Sequence, residues 1–116
     1  MKTQDQGRVG EDDAVEFLLK KGYSVLKRNF RFGHGEIDII ARDAEVLVFV
    51  EVKARWSVSH GEPEDAVTAA KRKQLRKTAE GYLYEYDCEC VPCRFDVVAI
   101  DYTAPEPELR HYVDAF

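Results

Sequence analysis

Apolar positions along the chain switch between a helical and an extended period. From Gly7 to Lys21, the residues Gly7, Gly10, Glu11, Ala14, Phe17 and Leu18 share one face of a 3.6-residue repeat, which predicts a first helix. Gly22 follows directly and supplies its stop. Extended segments are expected over Tyr23–Phe32, Glu36–Ala41 and Val46–Val52, joined by Gly33-His34-Gly35 and by Arg42-Asp43-Ala44-Glu45. The third is apolar on both faces at its middle, as in a central strand covered on both sides. The segment from Ala54 to Gly61 reads as a loop. Pro63 suits the first position of a second helix running to about Tyr86, with Val67, Leu75, Ala79, Tyr82 and Tyr86 on its inner stripe. Arg94–Tyr102 is a further strand, and an edge strand is expected around Leu109–Val113. Helix, three strands, helix, strand is the order of an α/β layer structure with a mixed sheet flanked by helices. At 116 residues one domain is expected, with its core over residues 7–102 and a C-terminal extension over 103–116.

Composition narrows the class. The longest apolar run, Val46–Val50, falls far short of the roughly 20 residues of a membrane span. The stretch Met1-Lys2-Thr3-Gln4-Asp5-Gln6 lacks a signal-peptide core. Three clustered cysteines, Cys88, Cys90 and Cys93, do not form a secreted disulfide framework. A cytoplasmic protein without membrane contact is the expectation. Net charge is -5, which by itself points away from a polyanion binder. Its distribution is uneven: residues 27–77 carry 11 basic and 8 acidic side chains, residues 78–116 only 2 basic against 9 acidic. A local anion-binding face and ordinary surface scatter both fit that pattern.

The informative interruptions are Asp38, Glu51 and Lys53, ionisable groups inside strongly apolar strands. Such groups are rarely buried unless paired or bound to metal. Glu51 and Lys53 share a face of their strand, as do Glu36 and Asp38 of theirs. With Arg42 opposite Glu45 across a two-residue turn, Asp38 lies opposite Phe49 and Glu36 opposite Glu51. Asp38 and Glu51 are then diagonal neighbours, with Cα atoms about 7–8 Å apart. Two carboxylates so placed can converge on one divalent cation. That ion would relieve the repulsion among Glu36, Asp38 and Glu51, and could activate water or bind a phosphate oxygen. Lys53 would stand beside it as a fixed positive charge, and Glu11 could approach from the first helix. A metal-free salt bridge of Lys53 with Glu51 or Asp38 is the competing account.

These residues sit in a recognisable setting. Gly35-Glu36-Ile37-Asp38 followed by Val50-Glu51-Val52-Lys53 resembles the metal-binding core of the PD-(D/E)XK nuclease superfamily, the restriction-endonuclease-like fold. With Gly7-Arg8-Val9-Gly10-Glu11, Arg28-Asn29-Phe30-Arg31, Phe49-Val50-Glu51-Val52-Lys53-Ala54-Arg55 and Arg94-Phe95-Asp96-Val97-Val98, the chain resembles, more narrowly, the YraN-like family of small bacterial proteins in that superfamily. The resemblance implies an αβββαβ core and one active site. In it Asp38 and Glu51 match metal ligands for Mg2+ or Mn2+, Lys53 the catalytic lysine, and Glu11 the acidic residue of the first helix. Ile37 stands where the superfamily has proline. A fold does not carry an activity with it.

Around this set, Arg55 and Trp56 are candidates for contacts with a phosphate and an unpaired base. Arg31, Lys71 and Arg72 are candidates for the phosphate backbone, in company with Arg28, Lys73, Arg76 and Lys77. A buried-stem lysine reaching water is the favoured account of Lys71, and Trp56 packing under its loop competes with stacking. Asp96 is expected to pair with Arg94 or another arginine, not to bind metal. His34 and His60 are expected to be uncommitted, and the cysteines to be free thiols, with zinc held by them and His111 the lesser reading. Two functions follow: a metal-dependent nuclease-like protein acting on phosphodiesters, DNA before RNA, or a nucleic-acid-binding adaptor that keeps the fold without turnover. A third reading uses the Leu109–Val113 edge to bind a protein partner or a second copy.

Overall fold

The computed structural model describes residues 3–59 and 61–116, so the expectation for His60 lies outside the described residues. Helix α1 spans Thr3–Lys20, strands β1, β2 and β3 span Ser24–Phe32, Gly35–Asp43 and Val46–Arg55, helix α2 spans Ala69–Glu85, and strands β4 and β5 span Cys93–Asp101 and Glu108–Tyr112. The five strands form one sheet in the order β1-β2-β3-β4-β5. All neighbours are antiparallel except β3 and β4. The parallel pair needs a crossover, and α2 provides it. This is an α/β protein with the αβββαβ order of a restriction-endonuclease-like core, plus β5 at the sheet edge. Among the described residues no helix is long and apolar enough to cross a membrane.

The sheet is covered on both faces, which is why its middle strands are apolar throughout. On one side Ala14, Leu18 and Tyr23 pack on Ile39, Ala41, Val48, Val50, Val98 and Ile100. On the other Leu75, Ala79 and Tyr82 pack on Phe30, Ile37, Ile40, Leu47 and Phe49. Ile37 and Ile39 are two residues apart yet belong to opposite cores. Strict alternation would put them on one face, so the alternation of β2 breaks between them, although its pairing with β1 stays in register from Lys27–Ile40 to Phe32–Gly35.

Two expectations are corrected. The hairpin turn is Ala44-Glu45, not Asp43-Ala44: Asp43 pairs with Val46, Ile40 with Phe49, and Ile39 with Val50. Ala44 takes a positive φ of 52° as first residue of this turn. Asp43 can extend the strand because Arg94 Nη1 holds its carboxylate at 3.1 Å. The second helix is also not continuous from Pro63. A 3-10 turn, Pro63–Ala66, is followed by a break, and α2 begins after Thr68, which has extended backbone and accepts a bond from Lys71 N at 3.3 Å. A threonine hydroxyl in that position satisfies one of the free amides of a new helix, so the helix restarts there.

Candidate active site

The β2–β3 ladder ends at Ile39 and Val50, one residue short of Asp38 and Glu51. Beyond that point β2 continues beside β1 alone, while β3 continues beside β4. The strands part, and the freed Val52 amide donates to Asp38 Oδ2 at 2.8 Å instead of to a backbone carbonyl. Asp38 and Glu51 therefore stand at the mouth of a fork, not as diagonal neighbours within a ladder. Glu36 does not face Glu51; it is half-exposed at the rim, 4.0 Å from Arg31.

Glu51 is 3% exposed and meets two ammonium groups, Lys53 Nζ at 3.6 Å and Lys71 Nζ at 3.4 Å, both at Oε2. The head of Lys71 thus turns from the first turns of α2 to a buried carboxylate, with the lysine side chain half-buried. Asp38 answers differently. Burial, then the hydrogen bond and charge of the Glu51 carboxyl beside it, push Asp38 up to about 8, against the Val52 amide and the charge of Lys53. A second negative charge beside Glu51 is thereby resisted.

A divalent cation beside these two carboxyls would relieve the same repulsion. Among the described residues no three His, Cys, Asp or Glu side chains gather closely enough to enclose a metal ion. Glu11 in particular is drawn aside, accepting from Arg28 Nε at 2.7 Å and from Asn29 Nδ2 at 3.1 Å. Two hard oxygen donors, one of them uncomfortable as an anion, nevertheless fit Mg2+ or Mn2+. Mg2+ commonly takes one or two carboxylates and completes its shell with water and substrate phosphate. Asp38 and Glu51 are the residues that would hold it.

A cleft of about 360 Å³ opens at Asp38 on the α1 side, lined among others by Gln6, Gly7, Gly10, Glu11 and Trp56. Trp56 lies on Tyr102, ring centres 4.0 Å apart and planes 12° from parallel. Tyr102 in turn donates to Asp13, a support that the sequence reading missed because it comes from the residue just past β4. Lys53 lines a second hollow on the other side of β3, against Gly61, Pro63 and Asp65.

The sequence model of Uncharacterised protein family UPF0102 matches residues 10–100. The chain belongs to UPF0102. It is 48% identical to a UPF0102 protein of Chlorobium phaeobacteroides over 97% of this chain and 94% of the relative. It is 50% identical to one of Symbiobacterium thermophilum over 90% and 87%. The family match takes in Gly10 and Glu11, the fork with Asp38, Glu51 and Lys53, and nearly all of β4.

Other candidate residues of this UPF0102 chain have other engagements. Arg55 is bound through Nε (3.0 Å) and Nη2 (2.6 Å) to Asp101 Oδ2, with Gly61 O and Glu62 also in reach, so its planar fork is occupied. That holds Asp101 well below the usual carboxylate range. Arg72 and Arg76 lie over the Phe116 ring. Arg31 is exposed. Asp96 is fully buried and bound by Arg94, His111 and the Asp114 amide, a structural pairing as the sequence reading had it. Cys88, Cys90 and Cys93 are free thiols, and His111 is turned to Asp96 and Lys21.

Proposed function

We propose that this protein is a divalent-metal-dependent nuclease-like hydrolase of nucleic-acid phosphodiesters. The observation that carries the reading is the fork itself: Asp38 and Glu51 brought together where β2 and β3 part, with Lys53 Nζ 3.6 Å from Glu51. Bound there, Mg2+ or Mn2+ would bind a phosphate oxygen and acidify water, the two needs of phosphodiester hydrolysis. The chain's own residues do the rest. Asp38 would release its proton to solvent and hold the ion together with Glu51, whose charge the ion would draw from Lys53. Lys53 is then freed to face the phosphate, where a fixed cation stabilises charge that develops only in the transition state. Lys71 keeps one positive charge at Glu51, so the carboxylate stays ionised in its buried position.

The test is metal-dependent cleavage of single-stranded, branched and duplex substrates. Lys53→Ala and Asp38→Asn are each expected to lower the rate roughly 10²–10³-fold. Activity that survives both substitutions overturns the assignment. One observation favours a second reading, a nucleic-acid-binding protein without turnover: Glu11 is committed to Arg28 and Asn29, and both lysines to Glu51. It predicts salt-sensitive binding with no product under any metal.

A further inference from the structure

We propose that the cleft between α1 and the end of β3 receives one unpaired nucleobase, stacked against Trp56, so that the protein selects nucleic acid with a single-stranded or extruded nucleotide. This rests on the nuclease reading only for the place of the phosphate, at Asp38 and Glu51; capture of the base does not require cleavage.

The space is the first ground. The cleft measures about 360 Å³, within the range of small-ligand sites. Its walls are the glycine face of α1, Val52, Ala54 and Trp56, with the Gln6 amide and two carboxylates as its polar groups. A Cβ at Gly7 would meet nothing within 4 Å, so the helix leaves open room there, whereas one at Gly10 would stand 3.4 Å from Ala54 Cβ, where helix and strand touch. The cleft is thus open beside Gly7, closed where Gly10 meets Ala54, and bounded by the indole of Trp56.

The second ground is preorganisation. Trp56 is held parallel to Tyr102, whose hydroxyl is tied to Asp13, so the indole is fixed before a ligand arrives. A ring held in place loses little freedom on binding. The third ground is charge. Tracking a duplex needs a row of free cations, and here the cations near the fork are engaged: Arg28 with Glu11 and Asp12, Arg55 with Asp101, Lys53 and Lys71 with Glu51. In a chain of net charge -5, base stacking is the stronger source of affinity. The Gln6 amide, which both donates and accepts, and the Glu11 carboxylate line the cleft and suit the polar groups of a Watson–Crick edge. Those groups are available only when the base is unpaired.

Trp56 is the one tryptophan of the chain, so its emission reports this cleft alone. In EDTA, a single-stranded oligonucleotide and a duplex with a single-stranded overhang should quench it saturably, and a blunt duplex of the same sequence should need roughly tenfold more. Gly7→Leu puts a side chain into the cleft without a clash and improves helix propensity. It should weaken single-strand binding roughly tenfold, as followed by anisotropy of the labelled strand, and leave blunt-duplex binding unchanged. Trp56→Leu should do the same. Equal quenching by blunt duplex, or unchanged single-strand affinity in both variants, overturns the subsite. With Mg2+ present, quenching without cleavage sinks the nuclease reading alone. Cleavage with no preference for unpaired substrate, unaltered by Gly7→Leu, sinks the subsite alone.

Discussion

Asp38 keeps its proton where most aspartates have lost theirs, because ionising it would set a second buried negative charge beside Glu51. The consequence for stability has a definite sign. Its folded value, about 8, lies far above the ordinary aspartate value of 3.8. The contribution is therefore whole below about pH 4 and is lost progressively as pH rises through about 8, since the unfolded chain ionises freely while the folded one resists. Thermal melts in EDTA should show stability declining along this higher-pH limb, from about pH 4 to about pH 8, and Asp38→Asn should flatten it. On the proposed metal reading a saturating divalent ion would take the place of the proton, so Mn2+ should raise the melting temperature of the wild type most at pH 8 and above, by an amount that follows the ratio of ion concentration to Kd. Asp38→Asn should respond weakly. The acids and Lys53 were legible because they break apolar strands. Lys71 was not: the helical repeat placed it on the inner face, but only the distance to Glu51 distinguishes a buried ion pair from an ammonium in water.

At the scale of elements, α2 is located by two close fits and one cap. A Cβ on Gly35 would stand 1.9 Å from Thr78 Oγ1, and one on Gly81 2.3 Å from the Phe32 ring, so glycine at these two points lets α2 lie against β1 and β2. Gly35→Ala should cost about 1–3 kcal/mol of overpacking in urea unfolding, and Thr78→Ala in the same chain should recover part of it. Thr68→Ala should cost about 1 kcal/mol through loss of the cap at Lys71 N, and it loosens the turn from which Lys71 reaches Glu51. The existence and order of these elements could be read from apolar periodicity. The break at Val67-Thr68 could not, because a capping threonine and an interior one look alike until the chain direction before them is known.

Across the whole molecule, the buried Asp96 is a tie point. Its carboxylate binds Arg94, His111 of β5 and the Asp114 amide, and Arg94 passes the link on to Asp43 of β2 and the Tyr23 hydroxyl. Burial alone would raise Asp96, but the hydrogen bonds of His111 and Arg94 outweigh it and hold the carboxyl below its usual range. Stability from this group is present above its unfolded value and is lost as pH falls through the lower folded one, an acid limb opposite in sign to that of Asp38. Arg94→Ala leaves Asp96 buried with one cation fewer and should cost about 3–5 kcal/mol in denaturant unfolding. Asp96→Asn should shrink the acid limb and leave the higher-pH one in place.

The chain's order of residues alone determined the layered α/β arrangement, the covered central strand and the three ionisable interruptions, because periodicity and the cost of burying charge are local properties. Only the folded molecule decided the hairpin register, the fork at Asp38 and Glu51, and the capture of Arg28 and Arg55 by Glu11 and Asp101. Each of these is a meeting of groups distant in the chain. Which partner an ion finds, and where two strands part, depends on distances that no repeat along the sequence encodes.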